Sequence, residues 1–443
     1  MSIFKPNGFI LSTWLKIKKS NVGYRMAKGA FWSFTGTFFA KVVVLLSGII
    51  CARILSRNEY GELGIIRSTI NMFVVFGSVG LGLTATKYIA EYKEKNKQKV
   101  VSIYYLSNFL VFITGSLVTL FILLFSPFIA YKSLNAPHLI PEIKIGGLLL
   151  FVTVINSAQN GTLVGFEDFK SIAINTFIGN FTEALLMNIG AKLYRVAGAI
   201  FGFGLGYILL LILNYCSIKK NFIKYNIQHG LKYIDYSDLH IFYKFSLPAA
   251  LSGIMVMPVL WIVKAMLVNN SGFSEAGIFE AADQWRIMIL FIPGTISNII
   301  LPILSSMQTD ENNNKYIKIL KYNLFINGGV ALLLALIVSL FSKIIIGFYG
   351  PQFVDVLPLI ILAISTIFIS IANVVGISIA SRSKMWFGFI FNLFWAIMLI
   401  LFTYVFLQKG LGATGLALAF LCSYVIHAFL QLIYLFYNLR RNS

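Results

Sequence analysis

Charge is what this sequence has least of. Charged residues make up 12% of its 443 positions and hydrophobic ones 58%, whereas a water-facing surface needs roughly a quarter of its residues charged. The length alone would suggest two or three soluble domains; the shortage of charge excludes them, and the apolar excess excludes disorder. Cysteine is nearly absent too. Cys51, Cys216 and Cys422 lie far apart in apolar surroundings, so neither a disulfide framework nor a thiolate metal site is expected. There is no Gly-x-x-x-x-Gly-Lys-Ser/Thr loop, no His-Glu-x-x-His and no Cys/His cluster, which argues against ATP hydrolysis and zinc chemistry. No short apolar stretch with a small-residue cleavage site precedes the first long hydrophobic run. Residues 1–28, with Lys16, Lys18, Lys19, Arg25 and Lys28, are therefore read as a retained basic tail with the pattern of an interfacial helix.

What is present is a series of long apolar runs, with mean hydropathy +0.82 and 40 phenylalanines. A spanning helix needs about 20 mostly apolar residues. Twelve stretches qualify: 29–52, 63–90, 101–125, 145–166, 172–191, 196–218, 241–268, 277–307, 322–341, 356–381, 386–407 and 411–438. They are too long and too uniformly apolar for barrel strands, which alternate over about ten residues. The expected fold class is an all-α membrane protein of twelve transmembrane helices.

Acid is scarcer than base, 16 Asp+Glu against 36 Lys+Arg, for a net charge of +20. Lysine and arginine near span ends stay cytoplasmic. With the N-terminus inside, 24 of the 36 cations fall on inner segments, nine on outer ones, and Lys41, Arg67 and Arg286 within spans. Both termini are thus expected in the cytoplasm. Cations gathered at helix ends do not form a folded basic surface, so nucleic acid is not the implied partner. No loop is long. The outer stretch 127–144 holds one acid, Glu142, too little for a membrane glycosyltransferase or polymerase, so an enzyme is not expected.

The longest cytoplasmic segment, 219–240, divides the chain into an N-terminal lobe (29–218) and a C-terminal lobe (241–443), six spans each. The halves share a weak repeat. Glu59-Tyr60-Gly61 matches Glu275-Ala276-Gly277 at an offset of 216, Asn160 to Lys170 matches Val375 to Lys384 at 214 to 215, and Gly198 and Tyr207 match Gly415 and Tyr424 at 217. Six spans per half keep the same orientation, so the halves should be related by an axis along the membrane normal.

An ionisable side chain at mid-membrane costs about 2.5–3.5 kcal/mol on insertion scales, so each one needs a reason. Lys41 lies twelve residues into the first span. It either lines a wet cavity and meets an anion, or pairs with Glu183 or another buried acid. Glu280, Asp283 and Arg286 recur at i, i+3, i+6 on one helix face. They form a self-neutralising pair or a contact surface, with Gln284 and Trp285 adjoining it. Arg67 is the corresponding cation of the second span, and Lys264 sits near an outer end where it can snorkel. Glu183, beside Thr182 and near Asn188, is a coupling acid or a counter-ion. His427 reads as a packing residue. Pro248, Pro258, Pro293 and Pro302 should bend the seventh and eighth spans. Gly198, Gly202 and Gly206 form a close-packing face.

The runs Lys28-Gly29-Ala30-Phe31-Trp32-Ser33 and Ala52 through Gly61, the Gly161-Thr162-Leu163-x-Gly165 run before Phe169-Lys170, and Ala276 through Phe279 with Asp283 and Arg286 resemble bacterial O-antigen and polysaccharide-unit flippases. These are the Wzx-type members of the MATE-like multidrug/oligosaccharidyl-lipid/polysaccharide exporter superfamily. The resemblance implies translocation of an undecaprenyl-diphosphate-linked oligosaccharide by alternating access in the bacterial inner membrane, for lipopolysaccharide or similar biosynthesis. It implies no cofactor beyond a proton or sodium gradient, and partnership with membrane lipids, a polysaccharide polymerase and chain-length proteins. The implied architecture is an inverted V of two six-helix lobes, its cleft lined by spans one, two, seven and eight. Lys41, Arg67, Arg286, Lys264, Gln284 and Trp285 would contact substrate, and Asp283, Glu183 and Glu280 would serve as coupling or structural acids. The other readings are a multidrug exporter of the same fold, which would favour an acidic cavity, and a non-transporting scaffold of a polysaccharide-assembly complex.

Overall fold

The computed structural model describes residues 21–228, 230, 234–242, 254–305, 313–382 and 385–441. Among these residues every regular element is helical. The long helices are α1 (Asn21–Ile54), α2 (Arg57–Ser78), α3 (Leu81–Tyr92), α4 (Lys97–Phe128), α5 (Ile140–Gly165), α6 (Phe169–Lys224), α7 (Val256–Ser305), α8 (Asn313–Leu340), α9 (Leu357–Ser381), α10 (Met385–Gln408) and α11 (Gly412–Arg441). Their outward faces carry Phe31, Leu124, Phe325 and Leu340, all well exposed. An apolar girdle of that extent is stable only in lipid.

Among the described residues nine helices are long and apolar enough to cross a bilayer, and α2 with α3, bent by 47°, make a tenth. Two of the nine are too long for one crossing. At about 1.5 Å per residue, the 56 residues of α6 would stretch about 84 Å, against about 30 Å of hydrocarbon. Its backbone leaves helical geometry at Tyr194 and Arg195, and the two limbs fold together. Gly190 and Gly198 stand so close that a Cβ on either would meet the other's carbonyl oxygen. Gly202 and Gly206 press likewise on Leu186 and Glu183, so the small-residue face is consumed inside the chain. In α7 the break falls at Gly272, whose φ of 82° suits glycine. Folding both helices back is consistent with twelve crossings.

The prolines do not place the break in α7. Pro258 sits in its first turn, where no intrahelical N–H is needed, and the helix runs on through Pro293 and Pro302; Pro248 lies outside the described residues. Helix α1 starts at Asn21, inside the segment read as tail, whose first 20 residues are likewise not described. The central segment is anchored at both of its described parts. Helix α6 continues to Lys224, and buried Asp238 accepts from Ser102 Oγ at 2.9 Å and pairs with Lys99 Nζ at 3.3 Å, which pins the segment to α4.

Helices α1–α6 pack mainly on one another, as do α7–α11, and the two groups meet through α1 and α2 on one side and α7 on the other. The repeated glutamates do parallel work. Glu59 is the capping-box residue of α2 and accepts from the Arg195 guanidinium. Glu275 accepts from the Ala413 backbone N–H at 2.8 Å. Each ties the start of one helix to the corner before the last helix of its group.

Candidate functional site

The two helix groups are sealed at one end. Ser56 and Glu59 cap α2 reciprocally, which fixes its first turn against α7. There the Gly61 backbone lies against Phe273 and Gly277, and the Gly277 backbone against Arg57; no side chain would fit between them. Polar contacts surround this approach. Arg53 Nε donates to Phe348 O at 2.5 Å, Arg57 donates to Ser274 Oγ and to Gln352 O, and Asn269 Nδ2 donates to Ser133 O at 2.7 Å. Buried Tyr60 packs on Tyr349 and Phe353. Gln284 Nε2 donates to Tyr60 Oη at 2.5 Å, while Gln284 Oε1 accepts from Tyr349 Oη at 3.2 Å. Deeper in, Trp261 Nε1 donates to Thr69 Oγ1 at 2.8 Å. Replacing Gly61 by Leu should wedge this end open. In a cysteine-free background, Ser133→Cys and Asn269→Cys should be joined by a short bifunctional maleimide, and the cross-link should disappear with Gly61→Leu. Unchanged cross-linking would show that the close approach is not what holds the end shut.

Toward the other end the groups part. The last ring contacts across the junction are Phe34 and Phe38 of α1 against Phe291 of α7, at 5.5 and 6.1 Å. Phe34 is already well exposed. Three residues past Phe291, a Cβ at Gly294 would meet nothing within 4 Å.

The in-span charges lie between the seal and this opening. Lys264 on the first limb of α7 reaches Glu280 on the second at 2.5 Å and Asp283 at 3.4 Å. Asp283 also accepts from Arg286 Nε at 2.5 Å, and Arg286 lies over the Phe420 ring at 5.0 Å. The four residues form one network of two cations and two anions. Lys264, which could have snorkelled, is instead held inside it. Glu280 packs across the junction against Gly64 of α2. In the other group, Arg67 meets Glu183 at 3.4 Å and the Phe203 ring at 4.8 Å, while Asn188 donates to Ser47 Oγ at 2.9 Å and so holds α1.

Pairing settles which charges are compensated. Arg67, Lys264 and Arg286 each have a carboxylate, and Glu183 is spoken for by Arg67. Lys41 has none: among the described residues no carboxylate oxygen lies within 4 Å of its Nζ. That atom stands 5.9 Å from the centre of the Phe291 ring on the facing group, and the side chain is half-buried. It occupies the apex where the groups begin to separate. A lone ammonium over an aromatic face gains modestly from the ring and keeps its three N–H donors for an anion. Gln284 serves as a bridge in the seal, and Trp285 is half-buried beside it. The sequence reading did not foresee Tyr60, Tyr349 or the Trp261–Thr69 contact. The glycines at 61 and 277, matched in the repeat, were the available signal that two backbones meet there.

Comparison with known proteins agrees with this build. Residues 26–308 match the family described as polysaccharide biosynthesis protein. The EPS I polysaccharide export inner membrane protein EpsE of Ralstonia nicotianae is 26% identical over 306 residues, which cover 62% of this chain and 69% of that protein. The protein of the same name from Ralstonia solanacearum is 27% identical over 190 residues, 42% of this chain and 43% of that one. A multidrug resistance MATE family transporter of the MOP superfamily in its inward-facing conformation superposes with a TM-score of 0.79 at 16% identity, covering 91% of this chain and 95% of that one. A MOP superfamily transporter from Pyrococcus furiosus, described as having a binding pocket of reversed polarity, gives 0.69 at 14% identity over 94% and 96%. Identities this low show the fold alone. The family match spans well over half of the sequence, and the chain belongs to the polysaccharide biosynthesis protein family, with a multi-pass, MATE-like helical fold.

Proposed function

We propose that the protein flips an undecaprenyl-diphosphate-linked oligosaccharide, an O-antigen unit or a similar repeat unit, across the bacterial inner membrane by alternating access. The observation that carries the reading is Lys41, an ammonium with no carboxylate partner among the described residues, at the apex of a cleft sealed at one end. Such a group suits a diphosphate, since hydrogen bonds between charged partners are about twice as strong as neutral ones, and the sealed end keeps the headgroup from crossing freely. Family membership and the names of the Ralstonia relatives favour a polysaccharide precursor as cargo. With both termini cytoplasmic, as the loop charges predict, the sealed end is outer and this state loads from the cytoplasm. Arg67 and Arg286 then serve first as members of ion pairs, and any substrate contact by them requires those pairs to rearrange. Exchange of a proton or sodium ion is assigned to Asp283 or Glu183, the acids tied to those arginines. A polymerase and chain-length proteins would receive the product.

Proteoliposomes loaded with a defined lipid-linked oligosaccharide test this reading. Movement between leaflets, followed by access of an external glycosidase, should require the protein and accelerate under a proton or sodium gradient. A rate indifferent to both gradients would remove the ion coupling. Transport of organic cations with no movement of the lipid would instead support a multidrug exporter. Restored polysaccharide in cells with no movement in vesicles would support a scaffold.

A further inference from the structure

The C-terminal group holds a second, partly open cavity, one of whose lining residues, Tyr424, lies within electrostatic reach of the Asp283–Arg286 pair. It has a volume of about 540 Å³ and lies between α7, α9, α10 and α11. Pockets of about 300–1,000 Å³ are those that take small organic groups. Its walls include Gly294, Asn373, Asn392, Trp395, His427 and Gln431, and none of its lining side chains is acidic or basic apart from the imidazole. Gly294 and Gly376 face open space, with nothing within 4 Å of where a Cβ would stand.

Three polar side chains in this wall are nine-tenths or more buried: Trp395 is 2% exposed, Gln431 3% and His427 5%. His427 is bonded on both sides, with Gln431 Nε2 3.0 Å from its Nε2 and the Phe391 backbone as a second partner. Among the described residues, Trp395 Nε1 and Gln431 Oε1 have no hydrogen-bond partner. The wall therefore offers one N–H donor and one carbonyl acceptor that nothing in the described residues meets. Buried polar groups are nearly always paired, so two such groups in one cavity point to a guest.

The chemistry of the wall selects the guest. An anion needs donors and a nearby cation, and a cation needs acceptors and a carboxylate; the lining supplies neither charge. A hydroxyl both donates and accepts and fits a mixed, uncharged wall. We propose that this cavity is a sugar subsite, which takes an uncharged, hydroxyl-rich residue of the oligosaccharide while the diphosphate meets Lys41. The assignment of the guest to the transported substrate rests on the flippase reading; the binding of a neutral sugar does not.

The probe is the phosphate-free oligosaccharide released by mild acid from the producing strain's own lipid-linked intermediate, with binding to the purified full chain followed by saturation-transfer NMR. Wild type should bind. Gly376→Leu, which fills the cavity, should weaken binding at least tenfold. Trp395→Phe, which keeps an aromatic side chain but removes the indole N–H donor, should weaken it by about threefold to tenfold or more, at least the worth of one hydrogen bond. Elution as a single folded species checks each variant, and the conservative Trp395→Phe keeps the test alive if Gly376→Leu does not fold. No binding by wild type, or equal binding by wild type and both variants, would overturn the subsite and leave the cavity to water. The proteoliposome assay separates the two claims. Full translocation by both variants refutes the subsite and leaves the flippase standing. Sugar binding that the variants lose, without translocation by wild type, upholds the sugar site and refutes the flippase.

Discussion

Lys41→Ala should lower translocation of the lipid-linked oligosaccharide roughly tenfold to a hundredfold and leave the protein as stable as wild type. A hydrogen bond to a charged group contributes about 1.5–3 kcal/mol, which sets the size of the loss. The unchanged stability follows from geometry. Among the described residues Lys41 has no carboxylate to abandon, only a ring 5.9 Å away, so its removal strands no buried charge there. Lys41→Arg should keep most of the activity, because a guanidinium also binds phosphate, and Lys41→Glu should remove it. Initial rates in proteoliposomes, with thermal unfolding alongside, provide the check. A Lys41→Ala protein that transports at the wild-type rate would end the role of this ammonium.

Asp283→Ala should do the reverse and unfold the protein before its transport can be compared. Asp283 accepts from Arg286 at 2.5 Å and lies 3.4 Å from Lys264, with Asp283 and Arg286 both buried. Its loss leaves Lys264 to Glu280 but leaves Arg286 uncompensated away from water. Breaking a buried pair on one side costs about 3–5 kcal/mol, whereas replacing both partners by apolar groups of similar volume is often neutral. The double variant Asp283→Leu/Arg286→Met should therefore recover most of the stability that Asp283→Ala loses. Equilibrium unfolding in mixed detergent measures both. A single variant as stable as wild type would mean that Arg286 finds another partner or water, and that the network is not structural.

The contrast between these residues bears on what could be read in advance. Arg286 and Asp283 are three apart on one helix, and their pairing follows from helical spacing alone. The acid of Arg67 is 116 positions away, and Lys264 and Glu280 meet only because α7 folds back at Gly272. Lys41 and Glu183, a pairing the sequence left open, do not pair, because Arg67 takes the carboxylate. His427 looked inert because its environment comes from α7, α9 and α10 as well as its own helix. Hydropathy located the spans, but it is blind to rotation about their axes, and rotation decides which side chains face a cavity.

The low charge, the long apolar runs and the basic excess by themselves determined a helical membrane protein, since lipid admits few other ways of satisfying a backbone. The family followed from motifs that survive in the linear chain. Tertiary structure alone decided which buried charges neutralise each other, which end is sealed, that Lys41 stands apart from the described carboxylates, and which polar side chains share a cavity. Those outcomes depend on atoms brought within about 3 Å of each other from distant segments, and no local pattern records such distances.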